Sequence, residues 1–118
     1  MTADYPKQGE IWWASFQVGW ERPALVVSRN ELNRGRLVLV VPCTSSQVEE
    51  RAAYSNHVLL PSGSGGLTKD TIAQTHLIQP IEVACLERKL GALSDEQLAE
   101  VLLAIAWSID LFDTARPS

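Results

Sequence analysis

Pro23-Ala24-Leu25-Val26-Val27-Ser28 and Leu37-Val38-Leu39-Val40-Val41-Pro42 are two short apolar runs, rich in β-branched residues, with a polar stretch between them. Neither alternates with polar residues, as a strand with one wet face would, so both read as strands covered on two faces. Asn30 to Arg36, with Asn33 and Gly35, carries turn chemistry at a length that suits a hairpin and is too short for a parallel crossover. The two runs therefore predict an antiparallel pair, opened by Pro23 and closed by Pro42.

Working outward, Ile11-Trp12-Trp13-Ala14-Ser15-Phe16 reads as a first strand after the turn-like Pro6-Lys7-Gln8-Gly9. His57-Val58-Leu59-Leu60 is a short strand, and Thr71 to Ile78 partly alternates like a half-buried one. From Cys43 to Asn56 the chain is polar, a loop of about fourteen residues, and Pro61 to Asp70 is a second, glycine-containing loop. The best-marked element is a helix that starts at Ser94. Ser94 and Gln97 fit a capping box, and Asp95 and Glu96 stand on the positive end of the helix dipole. Leu98, Leu102, Ile105, Ile109 and Phe112 form one apolar stripe, expected on the sheet. Leu103, Trp107 and Leu111 form a second stripe, which faces either a partner chain or the protein's own core. Four or five strands followed by one helix, without repeats, predict an α+β fold: a small, mostly antiparallel β-barrel with a C-terminal helix.

At 118 residues the chain is one domain, 1–118, with ordinary globular composition. Ten Lys and Arg against fourteen Asp and Glu leave a net charge of −4, which on its face speaks against a nucleic-acid partner. The acidity is uneven. Residues 1–36 carry five basic and four acidic side chains, whereas residues 82–118 carry three and seven. Met1 to Lys7 lacks an apolar segment, and Val101 to Ile109 is far short of the roughly 20 residues that span a bilayer. Cys43 and Cys85 lie outside any C-x-x-C pair and read as free thiols of a cytoplasmic protein with no membrane association.

Several chemistries find no support. Lys69 precedes Asp70 and a strand, so the glycines at 63, 65 and 66 do not make a phosphate-binding P-loop. His57 and His76 lack metal-ligand spacing, and Ser62 and Ser64 lack a nucleophile-elbow context. No metal and no cofactor is expected. The hairpin is more informative. If Arg29 pairs with Leu37, paired positions sum to 66 and Arg22 faces Thr44 at the open end, with room for the register to slip by two. A guanidinium fork and a hydroxyl held together by rigid strands suit a phosphodiester. The alternative is a surface ion pair between Arg22 and Glu21, with Thr44 merely ending its strand.

Taken together, Gln8-Gly9-Glu10-Ile11-Trp12, Arg22-Pro23 with the strand behind it and Asn33 beyond, Val40-Val41-Pro42-Cys43-Thr44-Ser45, Gly66-Leu67-Thr68-Lys69-Asp70 and Leu90-Gly91-Ala92-Leu93-Ser94 resemble the MazF/PemK family of toxin endoribonucleases, from about Lys7 to Leu111. The resemblance implies a homodimer with the SH3-like barrel of CcdB/PemK-like toxins. It implies a type II toxin–antitoxin system and sequence-specific, metal-independent cleavage of single-stranded RNA, often mRNA, leaving 2′,3′-cyclic phosphate and 5′-hydroxyl ends. A MazE-like antitoxin is the implied inhibitor, with DNA reached only indirectly through the antitoxin complex. By motif match, the family's catalytic arginine and threonine fall on Arg22 and Thr44, the pair that the hairpin register brings together.

Two departures affect the acid–base assignment. The loop Gln17 to Glu21 is short and leaves Glu21 as its only carboxylate; His76 stands where relatives commonly carry an aspartate, with Gln74 two residues earlier on the same strand face. His76 is then a candidate base, or else a structural histidine. For RNA contacts the candidates are Trp20, Glu21, Ser45, Ser46, Lys69 and Gln74. Trp12 and Trp13 read as core or interface residues, and Arg51 as a weak phosphate contact beside Glu49 and Glu50. Two rivals remain: a CcdB-like gyrase poison acting by binding through a dimer surface and Trp107 to Phe112, and a degenerate antitoxin-binding module.

Overall fold

The computed structural model describes residues 4–111. Seven strands, β1 (Glu10–Gln17), β2 (Trp20–Val26), β3 (Leu37–Thr44), β4 (His57–Leu60), β5 (Thr71–Gln74), β6 (Gln79–Glu82) and β7 (Leu86–Ala92), precede the C-terminal helix α2 (Asp95–Ser108); a short helix α1 (Val48–Ala52) follows β3. The strands are antiparallel in the order β4-β5-β3-β2-β1-β7, with β6 also paired to β3. The α+β class and the C-terminal helix are as expected.

The sheet does not close into the expected barrel. No ladder joins the outer edges at β4 and β7. A 3₁₀ turn at Ser64–Gly66 lies against β7 there instead, so close that a Cβ on Gly66 would sit 2.0 Å from the Leu90 carbonyl oxygen. Gly66 also has φ +83°, a conformation open to glycine and strained for other residues.

The continuous apolar runs are explained by two cores, one on each side of the sheet. Leu25, Val27, Val41 and Cys43 join Ile11 under Val101 and Ala104 of α2. The intervening Ala24, Val26, Val38 and Val40 join Ala14, Ile81 and Leu86 on the other side, where Trp12 and Phe16 cover them. Successive strand residues point to opposite faces, so both parities must be apolar.

Strand limits differ from the sequence reading around the prolines. Pro23 lies inside β2 and Pro42 inside β3. On the far side of β3, pairing with β6 ends at Val40 and pairing with β5 begins at Cys43, so position 42 has no neighbour there. A residue without an N–H costs the ladder least at such a switch.

The predicted strand from Thr71 to Ile78 is interrupted. After Gln74 the chain turns through a 3₁₀ segment at Thr75–Leu77 and resumes as β6, which transfers it from the end of β3 to its beginning. Thr75 is buried in this turn, donating its hydroxyl to the Asn56 carbonyl and meeting Ser108 of α2 at 3.4 Å. Gln74 and His76 therefore do not share a strand face. The loop from Cys43 to Asn56 likewise holds α1.

Helix α2 begins where its cap predicts, with both halves of the Ser94–Gln97 capping box formed. Its buried residues are Val101, Ala104 and Ala106, small side chains that let the helix approach the sheet. Leu102 and Ile105 of the predicted stripe pack on the shoulders, Leu98 is half-buried and Ile109 is exposed. Phe112 and Asp113 lie outside the described residues. Of the second stripe, Leu103 and Leu111 are exposed and Trp107 is half-buried.

Candidate active site

The observed β2–β3 ladder pairs Ala24 with Pro42, Leu25 with Val41 and Val26 with Val40, which is the register expected from the hairpin. Continued by two residues it sets Arg22 against Thr44, and both line one open cleft of about 450 Å³. That volume falls in the range of ligand-holding clefts, roughly 300–1,000 Å³. Glu21, Ser45 and Lys69 line it too. Five of the nine residues singled out from the sequence are thus brought together by three segments: the start of β2, the end of β3 and the β4–β5 loop.

Arg22 is half-buried, with its guanidinium carbon 4.8 Å from the Trp20 ring centroid. Trp20 in turn packs on Phe16 at 4.8 Å. This stack holds the long side chain in place, so less rotamer freedom is lost when it engages a ligand. The Arg22 Nε is buried without a hydrogen-bond partner among the described residues. A buried, unpartnered charged donor costs stability unless a ligand satisfies it. Arg22 makes no ion pair with Glu21 either, since the ion pairs found are Arg29–Glu31, Arg36–Glu82 and Lys89–Glu10.

Thr44 Oγ1 accepts a hydrogen bond from the Ser46 backbone N–H at 3.1 Å. That contact orients the hydroxyl and leaves its proton available to donate into the cleft. Ser46 therefore touches Thr44 but does not line the cleft. Cys43 also lines the cleft, but burial pushes its thiol up to about 12, outweighing the pull of the Arg22 charge. It stays protonated near neutral pH and is no base.

His76 and Gln74 lie elsewhere. His76 is exposed on the 3₁₀ turn, with Nδ1 2.9 Å from the Asn56 amide nitrogen and its ring 5.1 Å from that of His57. His57 is buried, and its Nδ1 donates to the Arg51 carbonyl at 2.9 Å. Burial lowers the His57 pKa, reinforced by the nearby His76 and Arg51 and opposed by that hydrogen bond. Gln74 is buried on β5 next to His57 on β4. Trp20 touches the site only through Arg22.

Two cleft residues escaped the sequence reading. Trp13, expected in a core or an interface, and Arg88 both line the cleft. They are direct partners across the β1–β7 ladder. No local signal announces Arg88, because Leu86-Glu87-Arg88-Lys89-Leu90 has neither strand alternation nor β-branched residues. Among the described residues there is no group of three or more His, Cys, Asp or Glu placed to hold a metal ion, and no helix long and apolar enough to cross a membrane.

An antiparallel sheet with one covering helix, carrying a cleft lined by both Arg22 and Thr44, defines a small α+β protein with a polar, cation-bearing groove. The chain belongs to the PemK-like, MazF-like toxins of type II toxin–antitoxin systems, whose family model matches residues 7–109. It is 30% identical over 111 residues to the probable endoribonuclease MazF5 of Mycobacterium tuberculosis, covering 93% of this chain and 97% of that one. It is 32% identical over 118 residues to the endoribonuclease MazF9 of the same organism, covering 90% and 98%. Among solved structures, an endoribonuclease in complex with its cognate antitoxin from a Mycobacterial species shares the fold at a TM-score of 0.78 and 20% identity, over 91% of this chain and 97% of that one. A MazE–MazF complex from Deinococcus radiodurans does so at 0.72 and 24%, over 91% and 97%.

Proposed function

We propose that this MazF-like endoribonuclease cleaves single-stranded RNA, mRNA included, at short sequences and without a metal, by turning the ribose 2′-hydroxyl on the adjacent phosphate. The convergence of Arg22 and Thr44 on one cleft carries the reading. In this reaction the 2′-oxygen bonds to phosphorus, the bond from phosphorus to the 5′-oxygen breaks, and the products are a 2′,3′-cyclic phosphate and a 5′-hydroxyl. No protein nucleophile is needed. The protein must stabilise charge that grows on the non-bridging oxygens, accept the 2′-hydroxyl proton, and let the 5′-oxygen regain one.

Arg22 and Thr44 suit the first task, the guanidinium with its unpartnered Nε and the hydroxyl with its free proton. A guanidinium stays charged throughout, so Arg22 stabilises charge and does not shuttle the proton. We assign proton acceptance to Glu21, the carboxylate in the cleft, in preference to His76, which sits beside His57 and Asn56. Water protonates the leaving 5′-oxygen.

The exposed Leu103 and Leu111 on α2, with half-buried Trp107, offer an apolar face for a second copy of the chain. A homodimer held in check by a MazE-like antitoxin in the cytoplasm is the assembly we propose, supported by the relatives solved with antitoxins. The relatives' endoribonuclease names favour an enzyme over a gyrase poison or a binding-only module. The test is incubation of the purified chain with a long single-stranded RNA in excess EDTA, with the new ends mapped. Fragments with cyclic phosphate and 5′-hydroxyl ends support the proposal; intact RNA, or cleavage restored only by a divalent ion, overturns it.

A further inference from the structure

Three cationic side chains from three separate elements reach the cleft: Arg22 of β2, Lys69 of the β4–β5 loop and Arg88 of β7. None of them makes an ion pair among the described residues, although the chain as a whole carries a net charge of −4. Glu21 is the one carboxylate on the wall. One phosphate would engage Arg22 and Thr44 alone, so the remaining charge is unexplained by cleavage of an isolated phosphodiester.

The ladder gives the spacing. Trp13 on β1 is the partner of Pro23 on one side and of Arg88 on the other. Arg88 thus stands two strand spacings from the residue after Arg22, about 10 Å between backbones at 4.7–4.9 Å per spacing. The Trp13 indole lines the same cleft, its centroid 5.9 Å from the Arg88 guanidinium carbon. A flat ring beside one cation, in a cleft that also holds Arg22, suits a nucleotide lying next to a phosphate.

We infer that Arg88 binds a second phosphate, next to the scissile one in the RNA strand, with Trp13 supporting the intervening nucleotide and Lys69 adding charge. The inference rests on the RNA-cleaving reading of the Arg22–Thr44 site and extends it: the protein measures a stretch of strand with more than one phosphate. Arg88 is a positioning residue. It acts on binding, and its removal weakens grip on the strand while the reacting groups remain.

The experiment compares two short RNA oligonucleotides that carry the recognised cleavage site, one natural and one in which a single phosphate adjacent to the scissile one is replaced by a neutral methylphosphonate. Each flank is replaced in turn. With the wild-type chain, one of the two replacements is expected to raise KM about tenfold, the size of one charge-assisted contact, with kcat little changed. Arg88→Ala is expected to raise KM on the natural strand by a similar factor and to bring the KM ratio between natural and neutral strands close to 1. It should also shorten the slope of log KM against log salt by about 0.7, one phosphate contact to a single strand. Arg88→Lys keeps the charge without the fork and should fall between. Equal sensitivity of Arg88→Ala and wild type to the neutral linkage, or a loss confined to kcat, overturns the inference while the cleavage reading stands. A wild-type chain that leaves both strands intact overturns both.

Discussion

Trp13 and Arg88 face each other across the β1–β7 ladder, and Trp13 is also the direct partner of Pro23 on β2. One rung of the sheet therefore carries three walls of the cleft, and the neighbouring residue on β2 is Arg22. The site is built into the backbone register of rigid strands rather than assembled from loops alone, which holds its charged groups at fixed separations.

The first prediction concerns the central pair. Arg22→Ala and Thr44→Ala should each lower kcat by about 10²–10³, the cost of removing one preorganised donor to a developing oxyanion. Arg22→Lys should recover little of the loss, because an ammonium lacks the planar fork. Thr44→Ser, which keeps the hydroxyl, should stay within about tenfold of wild type. Single-turnover cleavage of a fluorescent RNA, with circular dichroism to verify the fold, measures all four.

Glu21 and His76 are separated by a second experiment. Glu21→Gln should slow single-turnover cleavage by roughly 10²-fold, as loss of a general base does. His76→Gln should leave that rate little changed, since His76 lies away from the cleft against Asn56 and His57. The opposite pattern would move the base to His76.

Stability should respond to pH through His57. Its folded pKa lies below the ordinary value of 6.5, chiefly through burial, so the unfolded chain binds the proton more readily. The resulting stability is complete above about pH 6.5 and is lost as pH falls from there through the folded pKa. Thermal unfolding followed between pH 7.5 and 5 should show a declining midpoint whose slope is reduced in His57→Phe. Parallel curves for the two proteins would exclude His57 as the source.

Gly66 ties the β4–β5 loop to β7. An alanine there would place a methyl group 2.0 Å from the Leu90 carbonyl oxygen at a φ of +83°. Gly66→Ala should lose at least about 2 kcal/mol of stability, combining left-handed strain with backbone displacement. Because Lys69 belongs to the same loop, RNA affinity should fall in parallel at temperatures where the variant is still folded. Denaturant melts and KM measurements test the two effects separately.

Much of this was legible in the primary structure. The β2–β3 hairpin is legible in two apolar runs joined by a short polar turn, and the register that pairs Arg29 with Leu37, one of those the runs allow, sets Arg22 against Thr44. The helix start at Ser94 follows from a capping box, a wholly local device. What resisted reading has a common cause. β7 is a polar edge strand whose pairing partner lies far back in the chain at β1, so Arg88 carried no local mark. The break after Gln74 arises because one strand must serve both ends of β3, and that demand separates His76 from the strand face assigned to it.

Local chemistry thus determined which residues could meet a phosphate, because side-chain identity, strand period and turn length act over a few neighbours. Only the tertiary structure decided that the sheet stays open, that a glycine turn seals its edge against Leu90, and that Trp13 and Arg88 complete the cleft. Those outcomes depend on contacts between segments far apart in sequence, whose energies no short window contains. The net charge of −4 follows the same division: residues 82–118 carry seven acidic side chains against three basic ones, while folding gathers into one cleft three cations that make no ion pair among the described residues.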